Sequence, residues 1–247
     1  MTSAAMPAAP VVVVIEDDPE TASLITLLLE ECGFTVHTAA NGEAGVAAAR
    51  EHRPVLVTMD LGLPGMDGFE ATRRIRQFSD AYILVISGAN TEPDLIMAFG
   101  AGADDYLTKP FRPRVLQARI QSVQRRPRRG PGGAAGAARP VLERQGLVMD
   151  PWARIVSADG AEVTLTPTEF DLLRLLLEGG RRVRGRAQLA LLLAGHSLRG
   201  GGAVSSIDDK TIDVYICNLR RKLGDRLEGR RWIQTLRGAG YRLAPVP

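Results

Sequence analysis

Three kinds of side chain recur in this 247-residue chain at the points where short apolar runs end. The run Val11–Ile15 stops at Glu16-Asp17-Asp18, the run Val55–Met59 at Asp60 and the run Tyr82–Ile86 at Ser87. The stretch Asp105–Thr108 is followed by Lys109-Pro110. Carboxylates brought together repel one another and favour a hard divalent cation. Mg²⁺ suits an all-oxygen donor set and keeps water positions open for a phosphate. A carboxylate beside such an ion can attack phosphorus and become an aspartyl-phosphate. A hydroxyl and an ammonium can then neutralise the phosphoryl oxygens. Asp60 is the best nucleophile, because a turn-forming stretch, Leu61-Gly62-Leu63-Pro64-Gly65, follows it directly. Taken singly, Glu16-Asp17-Asp18 could be an acid cluster favoured by a helix N-terminus, and Lys109 a surface lysine. Suitable residues together on four run ends argue for a site.

Those residues converge only if the runs are parallel strands of one sheet. Val11–Ile15, Phe34–Thr38, Val55–Met59, Tyr82–Ile86 and Asp105–Thr108 are predicted strands. They lack polar alternation, as expected for strands buried on both faces. Helical spacing lies between them: Leu24, Leu27 and Leu28, then Glu43–Arg50, Gly68–Gln77 and Pro93–Phe99, and finally a helix with Leu116, Ile120 and Val123 as its buried stripe. This pattern is an α/β fold, a doubly wound five-stranded parallel sheet over residues 10–124. In such sheets chemistry collects at the carboxyl ends of the strands.

Charge divides the chain in two. Residues 1–124 hold 9 basic and 16 acidic side chains, a net −7, whereas residues 125–247 hold 22 and 12, a net +10. The basic half suits a polyanion. Between them, residues 125–140 are rich in Gly, Pro, Ala and Arg and read as a flexible linker. Its 16 residues would span roughly 20–24 Å. Residues 141–247 form the second predicted domain. Strand-like pieces come first, at Gly146–Met149, Arg154–Ser157 and Glu162–Leu165. A helix follows, opened by Thr166 or Thr168, with Phe170, Leu173 and Leu177 as its buried face. Next come a helix over Arg186–Leu193, a loop over 194–206, a helix over Ile207–Leu223, and a hairpin from Trp232–Leu236 and Tyr241–Leu243. In the third helix Ile212, Ile216, Leu219 and Leu223 form one buried stripe. Thr211, Tyr215, Asn218 and Lys222 repeat its spacing one residue earlier, about 100° round the helix. With Lys210 and Arg221 they are expected to present a basic, hydrogen-bonding face to the major groove of DNA.

Composition narrows the classes further. Hydrophobic residues make up 45% and charged residues 24%, as in soluble globular proteins. Two distant cysteines, Cys32 and Cys217, argue against a disulfide scaffold or a thiolate zinc site and fit a reducing cytoplasm. No signal-peptide pattern and no membrane span are legible, so the expected location is cytoplasmic with no membrane partner.

Three segments of the first half resemble the receiver domain of two-component response regulators. They are Val14-Ile15-Glu16-Asp17-Asp18-Pro19, Met59–Gly68 and Ala103–Phe111. The resemblance implies a flavodoxin-like fold in which Asp60 accepts phosphate from a sensor histidine kinase. It implies Mg²⁺ held by Asp17, Asp60 and the Gly62 carbonyl, with Glu16 acting through water. Ser87 and Lys109 would contact the phosphoryl group, and Tyr106 would be the aromatic switch. In the second half, Leu165–Phe170, Ile212–Ile216, Leu219–Gly224 and Thr235–Arg242 resemble the winged helix-turn-helix α+β effector of the OmpR/PhoB family. This implies double-stranded promoter DNA as partner, bound at tandem direct repeats by a dimer. Arg237 would enter the minor groove, and Thr211 and Arg220 would contact phosphates. Tyr215, Cys217 and Asn218 would face bases or backbone. RNA polymerase is a further implied partner at the loop 194–206, which here lacks the tryptophan that relatives often carry.

The family's receiver-pairing face departs from its usual charges. Leu95 stands at a usually basic position, Val115 and Gly100 at usually acidic ones, while Asp105 and Arg119 match the remaining pair. The expected homodimer of the phosphorylated protein is therefore partly apolar. Two rival readings compete with this one. An aspartate-nucleophile phosphatase of the haloacid-dehalogenase kind needs a second acid two residues after the nucleophile, and Gly62 occupies that position; the chain is thus read as no enzyme. The other rival is a winged-helix transcription factor whose receiver serves only for dimerisation, without phosphorylation.

Overall fold

The structure is a computed structural model that describes residues 9–124, 141–197, 209–225 and 231–245. Two compact units divide between Val123 and Gln124. The expected linker at 125–140 lies outside the described residues.

In the first unit five strands alternate with five helices. They are β1 (Val11–Ile15), α1 (Pro19–Glu31), β2 (Thr35–Ala39), α2 (Gly42–His52), β3 (Leu56–Met59), α3 (Gly68–Arg76), β4 (Tyr82–Ser87), α4 (Glu92–Ala101), β5 (Asp105–Thr108) and α5 (Pro113–Gln124). All pairings are parallel, in the order β2-β1-β3-β4-β5. Alternate residues of the central strands fill two layers. Val12, Val14, Leu56, Leu84 and Ile86 pack with Ile25, Leu28 and Leu29 of α1 and with Leu116 and Ile120 of α5. Val13, Val57, Ile83 and Val85 face the opposite way and are equally buried. This double burial is why the strands carry no polar alternation.

One stripe differs from the sequence reading. Leu24 and Leu27 are exposed, and Ile25, Leu28 and Leu29 form the buried face of α1. The helix starts at Pro19 with Asp18 as its N-cap, and that start fixes the phase.

The second unit begins with a four-stranded antiparallel sheet in sequence order. Its strands are β6 (Leu142–Arg144), β7 (Leu147–Asp150), β8 (Ile155–Ala158) and β9 (Ala161–Glu162). The sequence reading has no counterpart of β6, and β9 is shorter than the expected Glu162–Leu165. The tight turns explain β6. Gln145 and Gly146 both have positive φ (49° and 80°), as do Asp159 and Gly160 (51° and 84°). Each pair is the two-residue turn that joins antiparallel strands. Asp-Gly is an obvious turn signal and Gln-Gly is not.

Three helices follow: α6 (Pro167–Gly179), α7 (Arg186–Ser197) and α8 (Asp209–Leu223). The hairpin β10 (Ile233–Leu236) and β11 (Gly240–Leu243) closes the unit. Thr166 caps α6 in a reciprocal box with Glu169, which settles the choice between the two threonines. Leu172, Leu175 and Leu176 join Phe170 and Leu173 in its buried face, while Leu177 is only half-buried. α7 runs to Ser197, beyond the predicted loop start, and residues 198–208 lie outside the described residues. None of the described helices is long and apolar enough to cross a membrane.

Candidate functional site

At the carboxyl end of the parallel sheet, the acids at the ends of β1 and β3 meet the lysine that follows β5. Asp18 is occupied locally: its side chain accepts the Thr21 N–H at 2.9 Å and caps α1, which holds its carboxyl below the usual range. Glu16 is instead buried and Asp17 is exposed. One carboxylate oxygen each of Glu16, Asp17 and Asp60 lie within 4.8 Å of one another, a hard-oxygen set suited to a divalent ion. The Lys109 ammonium donates to both Glu16 oxygens at 2.7 and 2.8 Å and to Asp60 Oδ2 at 2.5 Å. Asp60 Oδ1 accepts the Gly62 backbone N–H at 3.2 Å.

The electrostatics follow from this packing. Burial pushes Glu16 up to about 7, against the pull of Lys109. Burial also acts on Asp60, but Lys109 and the Gly62 N–H outweigh it, so this carboxyl stays below its ordinary range. Burial opposes the Lys109 charge, yet its bonds to Asp60 and Glu16 carry it above the usual lysine value. Of the two buried carboxylates, Asp60 is thus the one held ionised.

Ser87 ends β4 buried, and its Oγ accepts the Ala89 N–H at 3.3 Å. The Tyr106 hydroxyl donates to the Ala89 carbonyl, and burial raises that phenol to about 12. Both side chains therefore attach to the same residue of the β4–α4 loop. Gly68 has no role in the sequence reading. A Cβ there would fall 2.0 Å from the Asp60 carbonyl oxygen, so α3 approaches the site through a residue without a side chain.

The receiver-pairing residues divide. Asp105 and Arg119 form an ion pair within one chain. Leu95 is half-buried, and Val115 packs against the core. The apolar surface of α4 is carried by Ile96 and Met97, which are exposed.

The second unit requires a correction. Ile212, Ile216, Leu219 and Leu223 are buried as expected, but so are Thr211, Tyr215 and Asn218. Tyr215 is 1% exposed and cannot meet a base. Lys222 is paired with Glu169 at 2.6 Å. The Arg220 guanidinium donates to the Ile233 carbonyl at 2.9 Å and to Thr235 Oγ1 at 2.7 Å, so it braces the hairpin from within. The physical reason is that α8 packs against both α6 and α7 and is braced to the hairpin. Its covered arc is therefore wider than one stripe. The outward face lies on the other side of the core stripe: Asp213, Val214, Cys217 and Arg221. Arg237 is exposed at the hairpin tip, and the Lys210 side chain lies outside the described residues.

Comparison with known proteins agrees with both halves. Residues 12–121 match the family model for the response regulator receiver domain, and residues 160–243 match that for the C-terminal domain of transcriptional regulatory proteins. Transcriptional regulatory protein AfsQ1 of Streptomyces coelicolor is 39% identical over 96% of this chain and 99% of its own length. KdpE of Mycobacterium tuberculosis is 35% identical over 94% and 97%, and CpxR of Escherichia coli 35% over 93% and 96%. A solved structure of a RitR variant, 21% identical, covers 96% of this chain and 99% of its own with a TM-score of 0.68, a likeness of fold.

Proposed function

We propose that this chain, which belongs to the two-component response regulators of the OmpR/PhoB family and controls transcription, takes a phosphoryl group on Asp60. The observation that carries the proposal is the Lys109 bridge from Glu16 to Asp60. It fixes the orientation of Asp60 and places a permanent cation where phosphoryl oxygens arrive. The donor is a phosphohistidine of a sensor histidine kinase. The Asp60 oxygen forms the bond to phosphorus, and the P–N bond breaks with its electron pair passing to the imidazole. Asp17, Asp60 and the Gly62 carbonyl, with Glu16 acting through water, would hold Mg²⁺, which would supply charge neutralisation there. Lys109 and the Ser87 hydroxyl bind the phosphoryl oxygens. When Ser87 turns toward them it releases the Ala89 N–H, and Tyr106, tied to the same residue, follows. That coupling biases the α4–β5–α5 face toward pairing with a second copy.

The outward face of α8 and Arg237 of the wing then meet promoter DNA in the major and minor grooves. A second reading, pairing without phosphorylation, is favoured by one observation. Asp105 and Arg119 are already paired with each other within a chain, so the surface that α4 offers through Ile96 and Met97 is apolar and owes nothing to phosphate.

Intact mass after incubation with a small-molecule phosphodonor and Mg²⁺ separates the two. The proposal expects one phosphoryl adduct in the wild type and none in Asp60→Asn, with tighter promoter binding only in the modified protein. Equal DNA affinity with and without the adduct would establish the second reading.

A further inference from the structure

The outward face of α8 carries an acid where DNA must approach. Asp213 is the one acidic residue among the described side chains of α8, and it lies beside Val214, Cys217 and Arg221. A carboxylate on such a surface repels phosphates. Its surroundings suggest what it does. Asp213 Oδ1 accepts Arg186 Nε at 2.6 Å and the Tyr241 hydroxyl at 2.6 Å. Arg186 opens α7, Asp213 sits on α8 and Tyr241 is in β11, so one oxygen joins three elements. The Arg186 and Arg220 guanidinium groups lie 5.3 and 5.7 Å from the centre of the Tyr241 ring. The Tyr241 backbone exchanges two hydrogen bonds with Arg184, at 2.8 and 2.9 Å, which ties the wing to the turn before α7. The pair is open to solvent, with side-chain exposures of 46% for Asp213 and 30% for Arg186. An exposed pair of this kind is cheap to exchange.

An anionic oxygen that accepts from a solvent-open guanidinium does what a DNA phosphate oxygen would do. We propose that Asp213 is a positioning residue that stands in for a backbone phosphate. In the DNA-free protein it keeps the Arg186 guanidinium and the Tyr241 hydroxyl aimed at one point. On binding, the Arg186 guanidinium passes to a phosphate oxygen, while Tyr241, 4% exposed, keeps its hydroxyl on the carboxylate. This rests on the reading that α8 and the wing face DNA.

The test is the salt dependence of affinity of the full chain for a random-sequence duplex, read by fluorescence anisotropy. Wild type, Asp213→Asn, Arg186→Gln and the double variant are compared, with thermal unfolding as the folding control. The amide oxygen introduced by Asp213→Asn still accepts both hydrogen bonds but no longer competes as an anion, so D213N is expected to bind about tenfold tighter. R186Q is expected to bind more weakly and to flatten the log–log salt slope by about 0.9, the loss of one phosphate contact. In the R186Q background the D213N gain should disappear. An unchanged slope in R186Q overturns the proposal. So does a D213N gain that persists without Arg186, which would mark plain charge removal, or a folded D213N that binds more weakly, which would mark Asp213 as a base reader. A wild type that binds no duplex at any salt would instead sink the placement of DNA on this face, and the stand-in with it.

Discussion

Asp225, just past α8, holds the start of the wing, and removing it should measurably loosen the second unit. Its buried carboxylate accepts three backbone N–H groups: Arg231 at 2.8 Å and Trp232 at 3.3 Å on Oδ1, and Ile233 at 3.0 Å on Oδ2. Arg231 is exposed, so water can replace the acceptor there. Trp232 and Ile233 are buried, and in Asp225→Ala their N–H groups lose their acceptor inside the fold. Each such donor costs about 1–3 kcal/mol, so the pair implies about 4 kcal/mol. With a urea m-value of about 2 kcal/mol/M, the unfolding midpoint drops by roughly 2 M. The reporter is built in. The chain has two tryptophans, both in this unit; Trp232 is buried and Trp152 is 59% exposed. In a Trp152→Phe background, Trp232 emission follows the wing alone. Asp225→Ala is expected to shift the midpoint by that amount and to weaken DNA binding, since Arg237 rides on the same hairpin. A shift corresponding to less than about 1 kcal/mol at unchanged m would refute the reasoning, because the N–H groups would then have found other partners.

Three further outcomes are expected. Gly68→Ala should abolish phosphoryl uptake by intact mass while the chain stays folded by circular dichroism, because the added Cβ would lie 2.0 Å from the Asp60 carbonyl and must push the acceptor loop away; normal uptake would show that the loop yields. Asp104 is fully buried, pairs with Arg76 and accepts the Ile83 N–H at 3.0 Å, so Asp104→Ala should destabilise the first unit by about 3–5 kcal/mol in urea melts. Burial raises Glu16 from 4.5 to about 7, so its ionised form is disfavoured in the fold. Between those values the folded state binds more protons than the unfolded one. Stability measured in EDTA should therefore fall as pH rises from about 4.5 through 7 and level off above, by about 3 kcal/mol, and Glu16→Gln should flatten that profile.

The first half was legible because its strands are buried on both faces and its chemistry sits at their ends. A run such as Val11–Ile15 has one reading in a parallel sheet, and the residue after it is then placed without knowledge of any helix. What escaped was set by close approach between distant segments. Gly68 follows the N-cap Asp67 and looks like any helix start, until α3 is seen to lie against the Asp60 carbonyl. Arg76 reaches Asp104 and the Gly102 carbonyl from 28 and 26 residues away, and neither spacing carries a pattern.

The second half departs from its sequence reading because α8 is covered on one side of its core stripe and not the other. Periodicity locates the core stripe of α8, and Ile212, Ile216, Leu219 and Leu223 are buried along it. It does not say on which side of that stripe the helix is covered. Thr211, Tyr215 and Asn218 can each line a polar surface or satisfy themselves inside. The decision comes from elements outside the helix: α6 supplies Glu169 for Lys222, and the wing supplies the Ile233 carbonyl and Thr235 hydroxyl for Arg220. Arg220, expected at a DNA phosphate, and Lys222, expected on the basic face, are instead engaged in holding α8 in place. Among the described side chains of α8, the outward face that remains carries one acid, Asp213, and one arginine, Arg221. On the proposed reading that this face meets DNA, its affinity depends on how the Arg186 guanidinium is aimed at Asp213 as well as on the net +10 of residues 125–247.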